Sequence, residues 1–235
     1  MKLCATAGAA IAARPAALAA NSAPLTPARP ARLVDPTGRP LAPDDLEVGK
    51  NYVFHYPYVA TPCFLLDLGQ PVAGQQDLQT EDGRHYRWPG GTGPRHSIVA
   101  FSAICAHRMS YPTHKVSFIK YHHRRPEETS TGWGTRTSDH VIHCCSEGSV
   151  YDPTAGARVL AGPAKQPLAA IDLSFDENKG FTAAGTYGGD MFDRFFAEFE
   201  FQLVLEHGTE AVREPVGTST TVWPLSEYSA NERVC

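Results

Sequence analysis

The chain has 235 residues, 42% of them hydrophobic and 20% charged, with a formal net charge of −4. That is enough apolar material for a sizeable core, so a disordered segment and a coiled coil are excluded, and the acidic balance excludes a nucleic-acid binder working through a general basic field. The 20 Gly and 19 Pro favour short strands and turns over long helices, and 6 Cys are too few for a disulfide-dense scaffold of this length.

In chain order, residues 1–21 read as an export leader. Met1 to Ala13 is short, apolar and rich in small residues, Lys2 is its only charge, and Ala17-Leu18-Ala19-Ala20 has the small-x-small pattern of a signal-peptidase site. The segment resembles the back half of a twin-arginine leader without the paired arginines, and Cys4 lies inside it. Such a leader places the mature protein in the periplasm. Residues 22–48 read as a Pro/Ala-rich linker carrying Pro24, Pro27 and Pro30.

Residues 49–185 alternate short apolar runs with turn signals, as in small antiparallel β folds. The runs are Tyr52–Val59, Cys63–Gly69, His96–Ile104, Lys115–Tyr121, Val141–His143, Ala157–Leu160 and Leu168–Leu173. Glu81–Pro94 and His122–Ser138 are polar and read as connections. In residues 186–235, the apolar spacing from Asp190 predicts an amphipathic helix through Met191, Phe192, Phe195, Phe196 and Phe199. Its second half, Phe199–Leu205, alternates and also fits a strand. The Phe stripe reads as core or a docking face. No segment beyond the leader is apolar enough to cross a membrane.

Two Cys/His boxes stand at the ends of apolar runs. The first is Cys105-Ala106-His107-Arg108-Met109-Ser110, and the second is His143-Cys144-Cys145-Ser146-Glu147-Gly148-Ser149-Val150-Tyr151-Asp152-Pro153. A loop after a strand suits metal ligation, because the strand sets the direction of the side chain. Cys-x-His turns both donors toward one centre, and Cys from a facing loop completes the set. Candidate cofactor-binding residues are therefore Cys105, His107, Cys144 and Cys145, and Cys63 reads as a buried small hydrophobe or as a partner of Cys235.

From Ser97 to Leu173 this pattern resembles the Rieske iron–sulfur family. Its boxes are Cys-x-His and Cys-x-x-His, followed by a Gly-Ser-x-Tyr-Asp turn and a proline loop, here Gly162–Leu168. The resemblance implies a mostly β fold, a small antiparallel sandwich or barrel with a cluster-binding subdomain, and a [2Fe–2S] cluster held by two thiolates and two imidazoles. The C-terminal helix is added to that fold from the chain's own periodicity. The second box departs from the family, because no histidine stands at the expected ligand position. If Cys144 ligates, the third residue on is Glu147 and the Gly148–Asp152 turn aligns without a gap. If Cys145 ligates, that position is Gly148, and the reading with metal ligands Cys105, His107 and Cys145 is preferred for keeping the two-residue step. The fourth donor is then Glu147, the other cysteine, one of His114, His122, His123, His140 and His143, or absent. With Ser110 and Ser146 or Glu147 where high-potential members carry extra cysteines, the bridging disulfide is expected to be missing. Ser149 and Tyr151 match the family's hydroxyl donors to sulfur.

The function expected from this resemblance is electron transfer to or from a redox protein, a cytochrome or a molybdenum oxidoreductase, with no substrate chemistry on this chain and no nucleic-acid partner. The alternatives are a Rieske-like docking subunit without its cluster, or a zinc site built on Cys105, His107 and Cys144 or Cys145. A Cys–His nucleophilic enzyme ranks last.

Overall fold

A computed structural model describes residues 25–123 and 139–233. The expected leader with Cys4, residues 124–138 of the second polar connection, and Cys235 lie outside the described residues. Within them the strands in chain order are β1 (Thr26–Val34), β2 (Tyr52–His55), β3 (Pro62–Asp67), β4 (Gln76–Gln79), β5 (His85–Trp88), β6 (Ile98–Ser102) and β7 (Ile119–His122). They continue with β8 (Val141–Cys144), β9 (Ser149–Asp152), β10 (Arg158–Ala161), β11 (Ala170–Asp176), β12 (Gly180–Tyr187), β13 (Ser219–Thr221) and β14 (Trp223–Pro224). Helix α1 (Met191–His207) lies between β12 and β13, and a one-turn helix, Leu225–Tyr228, follows β14.

The protein is mostly β, as expected. An eight-stranded sheet runs β13-β1-β12-β11-β6-β3-β2-β14, and its only parallel pair is β1–β13. Two smaller sheets, β10-β9-β8-β7 and β4-β5, complete the fold. Within the main sheet β3 and β6 are buried at every position, so both of their faces pack against apolar groups and they are apolar at nearly every position. Alternate residues sort into two cores. Tyr52 and Phe54, Cys63 and Leu65, and Ile98 and Ala100 enter one. Val53, Phe64, Leu66, Val99 and Phe101 enter the other. The register Phe64↔Phe101 across β3 and β6 keeps these sets aligned. The second core also takes in α1, the small sheets and the residues that follow β6, and the candidate site sits on that side.

Three local expectations change. The segment read as a linker forms β1, whose Ala31 and Leu33 are fully buried. Its prolines are tolerated because the pairing with β12 is irregular between Pro27 and Ala31, and the pairing with β13 begins only at Arg32. The stretch read as a loop from Glu81 contains β5, which turns Tyr86 and Trp88 inward and His85 and Arg87 outward. Residues 199–205 are helical, and Phe201 and Leu205, the residues that break the helical stripe, are simply exposed at 79% and 68%. Gly208 ends the helix in the left-handed region at φ 64°, donating its N–H to Val204 O.

A histidine cluster lies away from the boxes. His55 Nε2 and Tyr228 Oη are 3.1 Å apart, and the His55 and His207 rings are 5.5 Å apart. Burial, then the nearby His207 and His114, pushes His55 down to about 3 from its ordinary 6.5. The folded state holds this ring neutral while the unfolded chain protonates it. Its contribution to stability is therefore complete above pH 6.5 and is lost progressively as the pH falls toward 3. At about 1.4 kcal/mol per unit, roughly 3 kcal/mol should be lost by pH 4. Urea unfolding of the wild type and of His55→Gln at pH 7 and pH 4 checks this: the wild type should lose the larger share, and equal losses would refute it.

Candidate functional site

Both boxes close as tight turns begun by a cysteine. Met109 N–H donates to Cys105 O at 2.9 Å, and Gly148 N–H donates to Cys144 O at 2.8 Å. The closing residue is left-handed in each, φ 56° for Met109 and 73° for Gly148. Glycine adopts this conformation freely, whereas methionine does so at a cost, which its full burial in the core offsets. Strand β6 leads through Ala103 and Ile104 into Cys105, and β8 ends on Cys144, so the two sheets place the turns together. Gly162, at the start of the proline loop, lies so close to the second turn that a Cβ there would overlap Gly148 O and come within 2.5 Å of Ser149 Cα. That loop therefore seats directly on the second box.

Cys105 and Cys144 are free thiols, both fully buried. The neighbouring Cys144 thiol, opposed by burial and assisted by Tyr151, holds Cys105 below the ordinary thiol range. Cys144 is pushed well above that range by Cys105 and by burial. Tyr151 Oη lies 3.2 Å from Cys105 Sγ and accepts Ala106 N–H at 3.1 Å, so it can donate to a thiolate while locking the first turn. Beside this pair stand His107 and Glu147, with Nδ1 and Oε2 3.8 Å apart, and Arg108 Nε is 3.9 Å from Glu147 Oε1.

The donors thus form two pairs, two buried thiols and an imidazole with a carboxylate. Among the described residues no three His, Cys, Asp or Glu side chains converge on one ion. Each pair offers two donors, the number that each iron of a diiron cluster would take. Two buried atoms, His107 Nδ1 and Ser149 Oγ, complete no hydrogen bond, although Ser149 is close enough to Cys105 to help lower its pKa. Buried polar atoms are nearly always satisfied. A buried imidazole nitrogen and a buried hydroxyl left without partners, close in chain to two buried thiols, are donors that would suit a metal–sulfide group, the nitrogen as ligand and the hydroxyl as donor to sulfide.

Cys145, preferred as a metal ligand from the spacing, is disulfide-bonded, and a sulfur so committed offers no thiolate to iron. Cys144 is the last residue of β8, and Cys145 opens the turn beyond it. There its Sγ lies 3.6 Å from Arg233 O, on a C-terminal segment that follows Ser117 through Ser117 N–H to Asn231 O and Arg233 N–H to Ser117 O. The pairing considered for Cys63 is also overturned. Cys63 is a free, fully buried thiol donating to Tyr56 O at 3.0 Å, and burial pushes it up.

The five histidines considered as substitute ligands are engaged elsewhere. His122 and His143 contact each other, His123 and His140 flank Tyr121 Oη, and His114 packs on Tyr228. Arg194 was not foreseen. It reaches from the first turn of α1 to the carbonyls of Ala106 and His107 at 2.6 and 2.9 Å. No sequence signal marks it, because it is an ordinary polar residue on the outer side of an amphipathic helix.

No family model matches the chain. Among solved structures it is similar to the soluble domain of the Rieske protein II (soxF) from Sulfolobus acidocaldarius, at 28% identity over 58% of this chain and 68% of that one, with a TM-score of 0.39. No helix among the described residues is long and apolar enough to cross a membrane.

Proposed function

We propose that this chain is an electron-transfer protein whose two turns hold a [2Fe–2S] cluster, with Cys105 and Cys144 as ligands to one iron and His107 and Glu147 as ligands to the other. The observation that carries this reading is the pair of unsatisfied buried atoms, His107 Nδ1 and Ser149 Oγ, beside two free, fully buried thiols. When bound, the cluster supplies a one-electron redox centre. The residues do the rest. Tyr151 and Ser149 direct hydroxyls at sulfur, which favours the reduced state. The thiol pair is fully buried, whereas the His107 and Glu147 side chains keep 26% and 32% of their surface exposed. The imidazole–carboxylate side is therefore the one a redox partner can approach. That partner, a cytochrome or a molybdenum oxidoreductase, and a periplasmic location reached through the N-terminal leader belong to the same proposal.

Glu147 distinguishes this centre from the two-His type. A carboxylate adds negative charge where an imidazole would be neutral, so the oxidised form is favoured and the potential falls. Anaerobic reconstitution with iron and sulfide should give two irons per chain and a reduced-state EPR signal. Glu147→His should then raise the midpoint potential. A wild-type protein that binds no iron would refute the reading, and an unchanged potential in Glu147→His would remove Glu147 from the ligand set.

A further inference from the structure

The carbonyls of Ala106 and His107 project from the first turn in the same direction, and one nitrogen of the Arg194 guanidinium bridges them, at 2.6 and 2.9 Å. The other terminal nitrogen reaches Glu81 Oε2 at 3.0 Å. Glu81 Oε1 in turn holds Lys165 Nζ at 2.9 Å, and its backbone N–H donates to Gln166 Oε1 at 2.9 Å. Lys165 and Gln166 belong to the proline loop, which through Gly162 seats on the second box. A continuous set of charged hydrogen bonds thus runs from the first box through α1 and the β4–β5 turn to the loop covering the second. Arginine suits this role because its planar fork carries five donors in fixed directions, which a lysine cannot reproduce.

We propose that Arg194, braced by Glu81, is a positioning residue for the first ligand loop: it holds the Ala106 and His107 carbonyls so that Cys105 and His107 are presented together. This rests on the cluster reading above for its meaning, but not for its test. Its positive charge also lies against the backbone of His107, a metal-ligand candidate, and so favours the reduced centre.

The decisive experiment alkylates the native apo protein and maps the modified thiols by mass spectrometry. Cys63, buried in the opposite core, serves as the internal reporter of global unfolding. In Arg194→Gln the alkylation rate of Cys105 should rise roughly tenfold to a hundredfold, the range expected for loss of charged hydrogen bonds that oppose local opening, while that of Cys63 stays unchanged. Arg194→Lys should lie between the two, and Glu81→Gln should shift Cys105 in the same direction by less. In cluster-loaded protein, Arg194→Gln should lower the potential, whereas Arg194→Lys, which keeps the charge, should hold it near the wild-type value. Unchanged Cys105 reactivity in Arg194→Gln overturns the proposal, as does a parallel rise at Cys63. If Arg194→Gln fails to fold, Glu81→Gln decides by the same readout. A wild-type chain that takes up no iron defeats the cluster reading while leaving the apo alkylation result to stand or fall alone.

Discussion

Cys144→Ala is expected to bind neither iron nor sulfide after anaerobic reconstitution, whereas Cys145→Ala should load as the unaltered protein does. Adjacent cysteines of one box are thereby assigned opposite roles. Cys144 ends β8 fully buried, and its raised thiol would have to lose its proton to serve as a ligand. Cys145 faces the C-terminal segment and is already oxidised. Removing it breaks a disulfide, which should cost about 2–4 kcal/mol and lower the melting temperature without touching the donor set. The two variants thus separate along independent readouts: iron content falls only in Cys144→Ala, and the disulfide contribution is lost only in Cys145→Ala. Iron retained in Cys144→Ala and lost in Cys145→Ala would reverse the assignment and reinstate the ligand choice suggested by spacing alone.

Phe195→Ala should cost about 3–5 kcal/mol of stability, among the largest effects of any single side chain here. Phe195 is fully buried, and its ring meets Tyr111 edge-on at 5.0 Å and packs beside Phe196 and Phe199. Tyr111 follows the first box directly and is held at its other end by Glu206 and Gln202 of the same helix, at 3.0 Å each. Loss of the Phe195 ring therefore leaves a cavity under the helix and frees the exit of the first box's turn. Phe201→Ala, on the exposed side of the same helix, should change stability by no more than about 0.5 kcal/mol. Chemical denaturation of the two variants tests the docking of α1, and comparable losses would mean that the helix does not pack on the face assigned to it.

Much of the fold could be read from local pattern. The runs that became β2, β3 and β6 are short, largely apolar and bounded by turn residues, the pattern of a buried strand. The strand β1 was hidden because prolines and alanines dominate it. Only the irregular pairing with β12 and the late start of the β13 pairing make room for Pro27 and Pro30. The end of α1 was ambiguous for the opposite reason: Phe201 and Leu205 are apolar yet exposed, so they break the helical stripe without breaking the helix.

The two boxes stand out in the sequence, and the fold gathers His107, Ser149 and Tyr151 around Cys105. Glu147 was among the candidates and is the one found beside His107. The choice between Cys144 and Cys145 was not legible, since it depends on where the strand ends and the turn begins, which adjacent cysteines do not mark. Arg194 could not be found at all, because it meets His107 across 87 positions of chain.

The amino-acid sequence by itself therefore determined a β-rich chain with two cysteine-led turns and a terminal amphipathic helix, because these depend on side-chain periodicity and on short-range turn chemistry. Tertiary structure alone decided which thiols are buried together, which carboxylate stands beside the imidazole, and which distant arginine meets the carbonyls of the first box. Those contacts depend on strand facing and on groups far apart in sequence, and neither is written in any local window of residues.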